Sequence, residues 1–220
     1  MRLFYTKIMN EETPSLFDQE SGPSIWDMDW EPLTQEMLSC TRCRLCEQRT
    51  NVVVGEGDVN TTVMFIGEGP GEQEDVTGRP FVGRAGQLLD KILEAAHIPR
   101  ESVYITNMVK CRPPGNRNPQ KDETDECWPF VSRQIALIKP KVIVSLGNVP
   151  TQFFLKTTTG ITKTRGQFYP WKDGIEIFPM YHPSYLLRNP SKNPGSPKHQ
   201  AWQDIQTLKT RMDEFAAEGG

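Results

Sequence analysis

The chain has 220 residues, of which 36% are hydrophobic, and its formal net charge is −3. This length can bury one sizeable core and demands no second domain. The near-neutral charge argues against a protein that coats nucleic acid, and no apolar run reaches the roughly 20 residues that cross a bilayer. The first residues also lack the apolar run of a secretion signal, so we expect a cytoplasmic protein.

The first 35 residues have the composition of an acidic tail. Residues 1–36 hold eight acidic and two basic residues, a balance of −6, which leaves +3 for the remainder of a chain whose total is −3. We expect residues 1–35 to be flexible or partly docked, with Trp26 and Trp30 as candidate anchors. SLFDQ in this tail could contact a partner protein, although a chance match is the simpler interpretation. Residues 36–220 are expected to form a single domain that is monomeric and needs no obligate protein partner.

Apolar runs alternate with helical patterns along the rest of the chain. Four strands are predicted, at 61–67, 102–109, 141–147 and 175–181. Helices are predicted at 83–97, about 123–138, 150–155 and about 198–217. This alternation indicates an α/β fold with a mostly parallel sheet of about four strands and helices on both faces. Its ligand site is expected beyond the carboxyl ends of the strands.

A glycine-rich turn, FIGEGPGEQED at 65–75, follows the first predicted strand. It resembles a phosphate loop, but its four acidic residues would repel phosphate, and it lacks the P-loop ending and the GxGxxG spacing. A sharp turn with solvated acids explains this stretch equally well. Asn107 and His182 follow two other strands, and each could be an ordinary structural residue. Their convergence at strand ends is what indicates a site.

Five cysteines without a secretion signal favour metal ligation over disulfides. Cys40 and Cys43 can reach one centre from a single turn, and Cys111 and Cys127, separated by fifteen residues, complete four ligands. The wide second pair favours an iron–sulfur cluster, while zinc stays open. Thioredoxin-like chemistry is disfavoured because no strand precedes the first pair. Cys46 is interpreted as a small hydrophobe or a free thiol.

Four longer motifs closely resemble the family-four uracil-DNA glycosylases, the iron–sulfur branch of that superfamily. They are GEGPGEQEDVTGRPFVGRAGQLL, YITNMVKCRPPGNRNP, ITKTRGQFYPW and YHPSYLLRNPS with the PGSPKH that follows. The resemblance spans about Cys40 to Phe215. It implies a three-layer αβα sandwich and an enzyme that hydrolyses uracil from DNA, leaving an abasic site. It also implies a [4Fe-4S] cluster on Cys40, Cys43, Cys111 and Cys127.

The resemblance implies roles in a uracil pocket. Phe81 would stack on the flipped base, and the backbone of residues Gly67, Glu68 and Gly69 would approach its edge. Asn107 would accept from uracil N3–H and donate to O4, a pattern that cytosine reverses. His182 would donate to O2 as negative charge develops there.

The acidic residues of the turn would face the positively charged sugar and orient water. The aspartate that positions water in family-one enzymes corresponds to Gly69, and their tyrosine that blocks the thymine methyl corresponds to Gly71. The sequence therefore leaves open which carboxylate acts and how thymine is excluded. Glu68 and Glu74 rank above Asp75 and Glu72.

DNA contacts are expected mainly from HPSYLLR and the loop after it. Leu186 or Leu187 would fill the gap left by the flipped base, with one of the two leucines in the core. Backbone contacts are expected from Ser184, Arg188, Lys192, Ser196 and Lys198, and from Arg112 and Arg117 in the loop between two cysteines.

Two other functions stay open. A non-catalytic, metal-stabilised DNA-binding module would bind uracil-containing and normal DNA equally. The related cross-linking branch uses a histidine to capture the sugar covalently. This sequence has no basic, histidine-bearing insertion after GRPFVGRAG, which disfavours that branch.

Overall fold

The computed structural model describes residues 24–218, which are built around one six-stranded sheet. Its four parallel strands are β2 (Val63–Gly67), β3 (Tyr104–Asn107), β4 (Val142–Leu146) and β6 (Glu176–Met180). Two-residue strands pair antiparallel at the edges, β1 (Glu56–Gly57) on β3 and β5 (Tyr169–Pro170) on β6. The spatial order is β1-β3-β2-β4-β6-β5.

Eight α-helices surround the sheet. They are α1 (Trp30–Leu38), α2 (Glu72–Thr77), α3 (Arg84–Ala95), α4 (Lys121–Ile138), α5 (Asn148–Leu155), α6 (Ile161–Thr164), α7 (Pro183–Arg188) and α8 (Pro197–Glu218). Side chains of α3 and α8 join one hydrophobic cluster on the sheet, and side chains of α4 and α5 join a second. The sheet is thus the middle of three layers.

The central strand β2 shows why these strands are continuous apolar runs. All five of its residues are buried. Val63 and Phe65 pack in the cluster with α3 and α8, whereas Met64 and Ile66 pack in the cluster with α4 and α5. A parallel strand covered on both faces needs apolar side chains at every position.

The predicted mostly parallel α/β fold is confirmed, and its four strands occur at the predicted places. The two edge strands were not predicted. Each has only two residues, too few to show the alternation of apolar and polar side chains that indicates a strand. Helices α2, α6 and α7 have only four to six residues, too few for a helical period to stand out. Helix α1 begins within the predicted tail.

The described part of that tail contacts the body through α1. Leu33 and Met37 are fully buried, and the Trp30 ring lies 5.5 Å from the Tyr104 ring. Trp26 is 52% exposed, so Trp30 is the better anchor of the two. SLFDQ lies outside the described residues, and its role stays a prediction.

Between residues 24 and 218, none of the helices combines the length and the apolarity that a membrane crossing requires.

Candidate functional site

Neighbouring parallel strands bring three predicted site positions to one edge of the sheet. Gly67 ends β2 and Asn107 ends β3, and the two are direct partners in the ladder. His182 follows β6 by two residues. After β4, which separates β2 from β6, Gly147 adopts φ +90°, and a Cβ added there would lie 3.0 Å from His182 Cβ. The three positions therefore lie at one edge of the sheet, as the order of the strands predicted, and their roles in a site stay a prediction.

Asn107 and Phe81 lie close against the backbone of Gly67. A Cβ added to Gly67 would lie 2.4 Å from Asn107 Oδ1 and 2.5 Å from Phe81 Cζ. Asn107 is 1% exposed, and its Oδ1 has no hydrogen-bond partner among the described residues. Because an unpaired buried oxygen is unfavourable, this position is suited to a ligand that brings an N–H donor.

Phe81 lies beside Gly67 in an unusual backbone conformation. Its ring lies 5.8 Å from the His182 ring, its side chain is buried, and its φ is +52°. A bulky residue is strained in this region. Gly86, in the first turn of α3, lies so close that an added Cβ would be 1.8 Å from the Phe81 carbonyl oxygen. The α3 backbone thus fixes the ring beside Asn107 and His182.

Replacing Gly86 with alanine should displace Phe81. We expect the free energy of unfolding to fall by about 1–3 kcal/mol, the usual effect of overpacking. We also expect loss of activity, because the ring would leave its place. The control is Gly160→Ala, since no atom lies within 4 Å of a Cβ at that position. Urea unfolding and steady-state kinetics test both variants, and equal behaviour of the two would contradict the assignment.

The position of His182 defines which of its ring nitrogens can donate. Nδ1 accepts from the Ser184 backbone N–H at 3.1 Å and lies 2.8 Å from Ser184 Oγ, at the start of α7. A ring nitrogen that accepts carries no proton, so neutral His182 holds its proton on Nε2. Burial, and then the charge of Arg188, lower the pKa of His182 to about 4, although Glu74 opposes this shift. At neutral pH the ring is an uncharged donor.

Two of the predicted acidic residues accept hydrogen bonds from backbone N–H groups, Glu74 through both oxygens and Asp75 through one. The buried Glu74 carboxylate accepts from the backbone N–H groups of Gly71, Val82 and Gly83 at 3.1, 2.9 and 2.7 Å. The Asp75 Oδ1 atom accepts from those of Thr50 and Asn51 at 2.8 and 3.3 Å. These carboxylates hold loops together, which is a role the sequence did not suggest.

Glu68 differs from these two residues. Its half-buried carboxylate makes no hydrogen bond or ion pair with residues 24–218, and burial raises its pKa. Glu72 is exposed on the first turn of α2. In the same turn, Gly69 packs against Val109. A Cβ added to Gly69 would lie 2.9 Å from Val109 Cγ2. Among the four candidate acids, Glu68 is the one that is partly enclosed and has both carboxylate oxygens free of hydrogen bonds within residues 24–218.

The cysteines lie together around one cavity, which the segment that follows β3 helps to line. All five are free thiols, and all five line one cavity with Met37 and Phe130. Arg49 Nη1 lies 3.2 Å from Cys111 Sγ, and the Lys110 backbone N–H donates to Cys127 Sγ at 3.3 Å. Burial raises the pKa of Cys43, Cys111 and Cys127. Within residues 24–218, no three His, Cys, Asp or Glu side chains are grouped closely enough to hold a single ion.

Comparison with known proteins identifies the family. Residues 54–206 match the family model described as the Uracil DNA glycosylase superfamily. The chain is 52% identical over 162 residues to the type-4 uracil-DNA glycosylase of Thermotoga maritima, covering 73% of this chain and 84% of that protein. It is 47% identical over 169 residues to that of Sulfurisphaera tokodaii, with 73% and 77% covered. The chain belongs to the type-4 uracil-DNA glycosylases. The matched span contains Gly67, Phe81, Asn107 and His182.

In this type-4 glycosylase the two leucines of α7 have different surroundings. Leu186 is 1% exposed and packs with Tyr181 and Ala201, so it cannot insert into DNA as placed. Leu187 is half-buried and belongs to no core cluster of the described residues. One leucine is in the core, as expected, and Leu187 stays the candidate for the wedge.

The two leucines give a matched pair of substitutions. Leu186→Ala should lower the free energy of unfolding by about 2–5 kcal/mol, because it leaves a cavity. Leu187→Ala should leave stability nearly unchanged but slow uracil removal from duplex DNA more than from single strands. Denaturant unfolding and initial rates on the two substrates test this. Duplex activity that is unaffected in Leu187→Ala would remove this leucine from the wedge.

The predicted DNA-contacting residues fall into two groups. Ser184, Arg188, Lys192, Ser196 and Lys198 lie on α7, on the loop after it or in the first turn of α8, all adjoining His182 in the chain. In this group, Arg188 and Lys192 are exposed. This segment therefore presents exposed basic side chains in the part of the chain that follows His182.

The second group lies near the cysteines and is less available to DNA. Both terminal nitrogens of Arg117 donate to Glu123, at 2.8 and 2.6 Å, and the Glu123 side chain has no exposure. Arg117 therefore compensates a buried charge, and the expectation that it contacts DNA is disfavoured by this pairing. Arg112 donates from Nε to Asn116 Oδ1 at 2.8 Å within its loop.

Four residues that shape these sites were not predicted from the sequence. Gly86 and Gly147 allow close backbone approach, and Arg49 and Lys110 donate to cysteine sulfurs. The glycines carry no sequence signal that separates them from ordinary turn or helix residues. A lysine inside the apolar run that leads to Cys111 was a usable signal, because buried lysines need partners.

Proposed function

We propose that this protein is a DNA-repair enzyme that flips uracil out of DNA and hydrolyses its N-glycosidic bond, leaving an abasic site. The observation that carries this proposal is the buried, unpartnered Oδ1 of Asn107 beside Phe81 and Gly67. Family membership supports it. Flipping costs a few kcal/mol, least where the base is mispaired or single-stranded.

Uracil would be recognised by shape and by hydrogen bonds. Phe81 offers a flat face for stacking, and the absence of a side chain at Gly67 lets Asn107 and Phe81 come close together. Asn107 Oδ1 would accept from N3–H while its Nδ2 donates to O4. Cytosine presents the reverse pattern and would leave buried groups unpaired, at about 1–3 kcal/mol each.

Bond cleavage would separate charge between base and sugar. His182 would donate from Nε2 to uracil O2, where negative charge develops, since its Nδ1 is held by Ser184. A neutral imidazole whose proton is on Nε2 can donate this hydrogen bond. Arg188 would add positive potential near the departing base and the phosphates.

Glu68 is the best-supported group for orienting water toward the cationic sugar. Its oxygens are free in the described structure, whereas those of Glu74 and Asp75 hold backbone N–H groups. A carboxylate facing the sugar would also stabilise its positive charge. This assignment gives a role to one of the acidic residues in the glycine-rich turn.

Substitution of Glu68 tests this role. Glu68→Gln should lower kcat by about 10²-fold, the lower range for a positioned acid or base, with little change in DNA affinity. Glu72→Gln is the matched control, because that side chain is exposed on the same loop. Single-turnover kinetics on a uracil-containing oligonucleotide provide the measurement. Equal rates for the two variants would move the role to another acid.

We also propose a [4Fe-4S] cluster on Cys40, Cys43, Cys111 and Cys127. The residues fit, because the four thiols line one cavity and N–H donors reach two of their sulfurs. When bound, the cluster would cross-link three chain segments, and the proposed reaction needs no redox step from it. Ligation must displace the thiol protons, which burial makes harder to remove. Cys46 lines the same cavity and is kept outside the proposed ligand set.

One assay tests the function against its alternatives. The protein is incubated with a uracil-containing oligonucleotide, and alkali then cleaves any abasic site. A shortened strand supports the glycosylase, a protein–DNA adduct supports sugar capture by a histidine, and an intact strand supports a non-catalytic binding module. Absorbance near 400 nm and iron content distinguish an iron–sulfur cluster from zinc.

A further inference from the structure

We propose that Lys110 is a positioning residue that links the cysteine site to the uracil pocket by holding the end of β3 in place. This inference rests on the proposed function, since it concerns how Asn107 is held for base recognition. Lys110 is 2% exposed and lies three residues after Asn107 and directly before Cys111. A lysine this buried requires partners for its charge.

The ammonium of Lys110 is completely satisfied. Nζ donates to Thr106 Oγ1 at 2.5 Å, to the Asn107 backbone oxygen at 3.2 Å and to Gln134 Oε1 at 2.7 Å. An ammonium has three N–H donors, and each has one acceptor here. Two of the three acceptors belong to the last residues of β3, so the charge is directed at the strand end that carries the pocket amide.

The main chain of the same residue contacts the cysteine site. The Lys110 N–H donates to Cys127 Sγ at 3.3 Å, and its carbonyl oxygen accepts from the Val53 N–H at 2.8 Å. One residue therefore joins a proposed cluster ligand to the backbone of Asn107. The mechanism described above assigns no task to this lysine.

The acceptors of Lys110 are themselves held in place. Thr106 Oγ1 donates to the Val54 carbonyl oxygen at 2.9 Å. Gln134 Nε2 donates to that same oxygen at 3.0 Å and to the Tyr104 hydroxyl at 3.1 Å. Gln134 and Cys127 both belong to α4, so this helix contributes to both ends of the link. Removing Nζ would leave three buried oxygens short of a donor at the base of the pocket.

A role of Lys110 in positioning Asn107 can be distinguished from a general contribution to the stability of the protein. Asn107 Oδ1 is the unpaired atom of the pocket, and its direction depends on the backbone that Lys110 fixes. If the strand end shifts, recognition of the base should weaken while contacts to the DNA backbone, made from α7 and the loop after it, persist. A merely structural lysine would instead affect both kinds of binding equally, or neither once the protein is folded.

The test compares Lys110→Met with Thr61→Val. Thr61 is a buried hydroxyl at the opposite, amino-terminal end of β2, where Oγ1 donates to the Ser102 carbonyl oxygen at 2.8 Å. Three readouts are taken on folded protein: iron content, the inhibition constant of free uracil, and affinity for DNA that carries an abasic site. For Lys110→Met we expect the uracil inhibition constant to rise about three- to tenfold, the effect of a misplaced hydrogen bond, with abasic-DNA affinity within about twofold. Thr61→Val should match the wild type in both affinities.

A milder variant covers the case in which Lys110→Met does not fold. Thr106→Val removes one acceptor of Nζ, and we expect a smaller rise in the uracil inhibition constant, again without loss of abasic-DNA affinity. An unchanged uracil constant in the folded variant, or an equal loss of both affinities, overturns the inference. Failure of the wild type to release uracil would instead overturn the proposed function, so the two failures are distinguishable.

Discussion

Cys43→Ala protein is expected to lose its metal centre and, with it, its fold or its DNA binding. Cys43 packs at the edge of a hydrophobic cluster that includes the α1 side chains Leu33 and Met37 as well as Cys111 and Cys127. The centre would join these distant segments, and metal-coupled folding energies of about 10–16 kcal/mol in small zinc domains are comparable with the whole stability of a domain. Loss of one ligand should therefore affect the entire region.

Cys46→Ala is the matched control for this prediction. Cys46 lines the same cavity and is the same residue type, but it lies outside the proposed ligand set. We expect it to retain iron, absorbance near 400 nm, thermal stability and abasic-DNA affinity, all of which Cys43→Ala should lose. A metal-free Cys43→Ala protein with full activity would refute the proposal, and identical losses in the two variants would make Cys46 a ligand.

His182→Ala should lower kcat by about 10²–10³-fold, the usual effect of removing a donor to a developing oxyanion. Affinity for abasic-site DNA should change little, because the missing donor acts on the base. His97→Asn serves as the control, since His97 is exposed and asparagine tolerates its positive φ of 55°. Single-turnover rates at saturating enzyme separate chemistry from binding. A rate for His182→Ala within about threefold of wild type would exclude it as the principal donor.

The lowered pKa of His182 adds a test by pH. The unfolded chain binds a proton on this histidine below about pH 6.5, whereas the folded protein resists it down to about 4. The unfolded state therefore holds more protons in this window, and the free energy of unfolding falls as the pH falls from about 6.5 to 4. At pH 4 the free energy of unfolding should be lower by about 3 kcal/mol. This corresponds to a difference of roughly two pKa units or slightly more between the folded and unfolded states.

Comparison with His182→Ala isolates this contribution, because other titrating groups are shared by both proteins. Denaturant unfolding at pH 7, 5.5 and 4 should show the wild type losing stability relative to the variant as the pH falls. Parallel losses in the two proteins would mean that His182 titrates normally. Activity should not decline through pH 6.5, where an unperturbed histidine would gain its proton.

The layers of the fold were predictable because they follow from local pattern. Runs such as VMFIG are apolar at every position, which indicates strands buried on both faces, and the helical periods between them require parallel crossovers. The position of Asn107 and His182 at one edge follows from the same rule. Helices α2 and α7 were not predicted, because each has only six residues. The stability of such a short helix depends more on its ends and its tertiary contacts than on a periodic apolar pattern.

The roles of individual side chains were less predictable. Four acidic residues in one loop look alike in sequence, yet Glu74 and Asp75 accept backbone N–H groups and Glu68 does not. Leu186 and Leu187 are adjacent and identical in chemistry, and only the direction of α7 puts one of them in the core. The position of Phe81 depends on Gly86, whose close approach to it could not be read from spacing.

By itself, the sequence determined the α/β architecture and the edge of the sheet at which Gly67, Asn107 and His182 meet, which is where the uracil pocket is proposed. These properties depend on periodicity and strand direction, which neighbouring residues encode. Only the tertiary structure decided which carboxylate stays free, which leucine faces outward and how Lys110 joins the cysteines to Asn107. Those outcomes depend on hydrogen bonds and close contacts between segments that are far apart in the chain. In such contacts a small shift decides whether a polar group is free or already hydrogen-bonded.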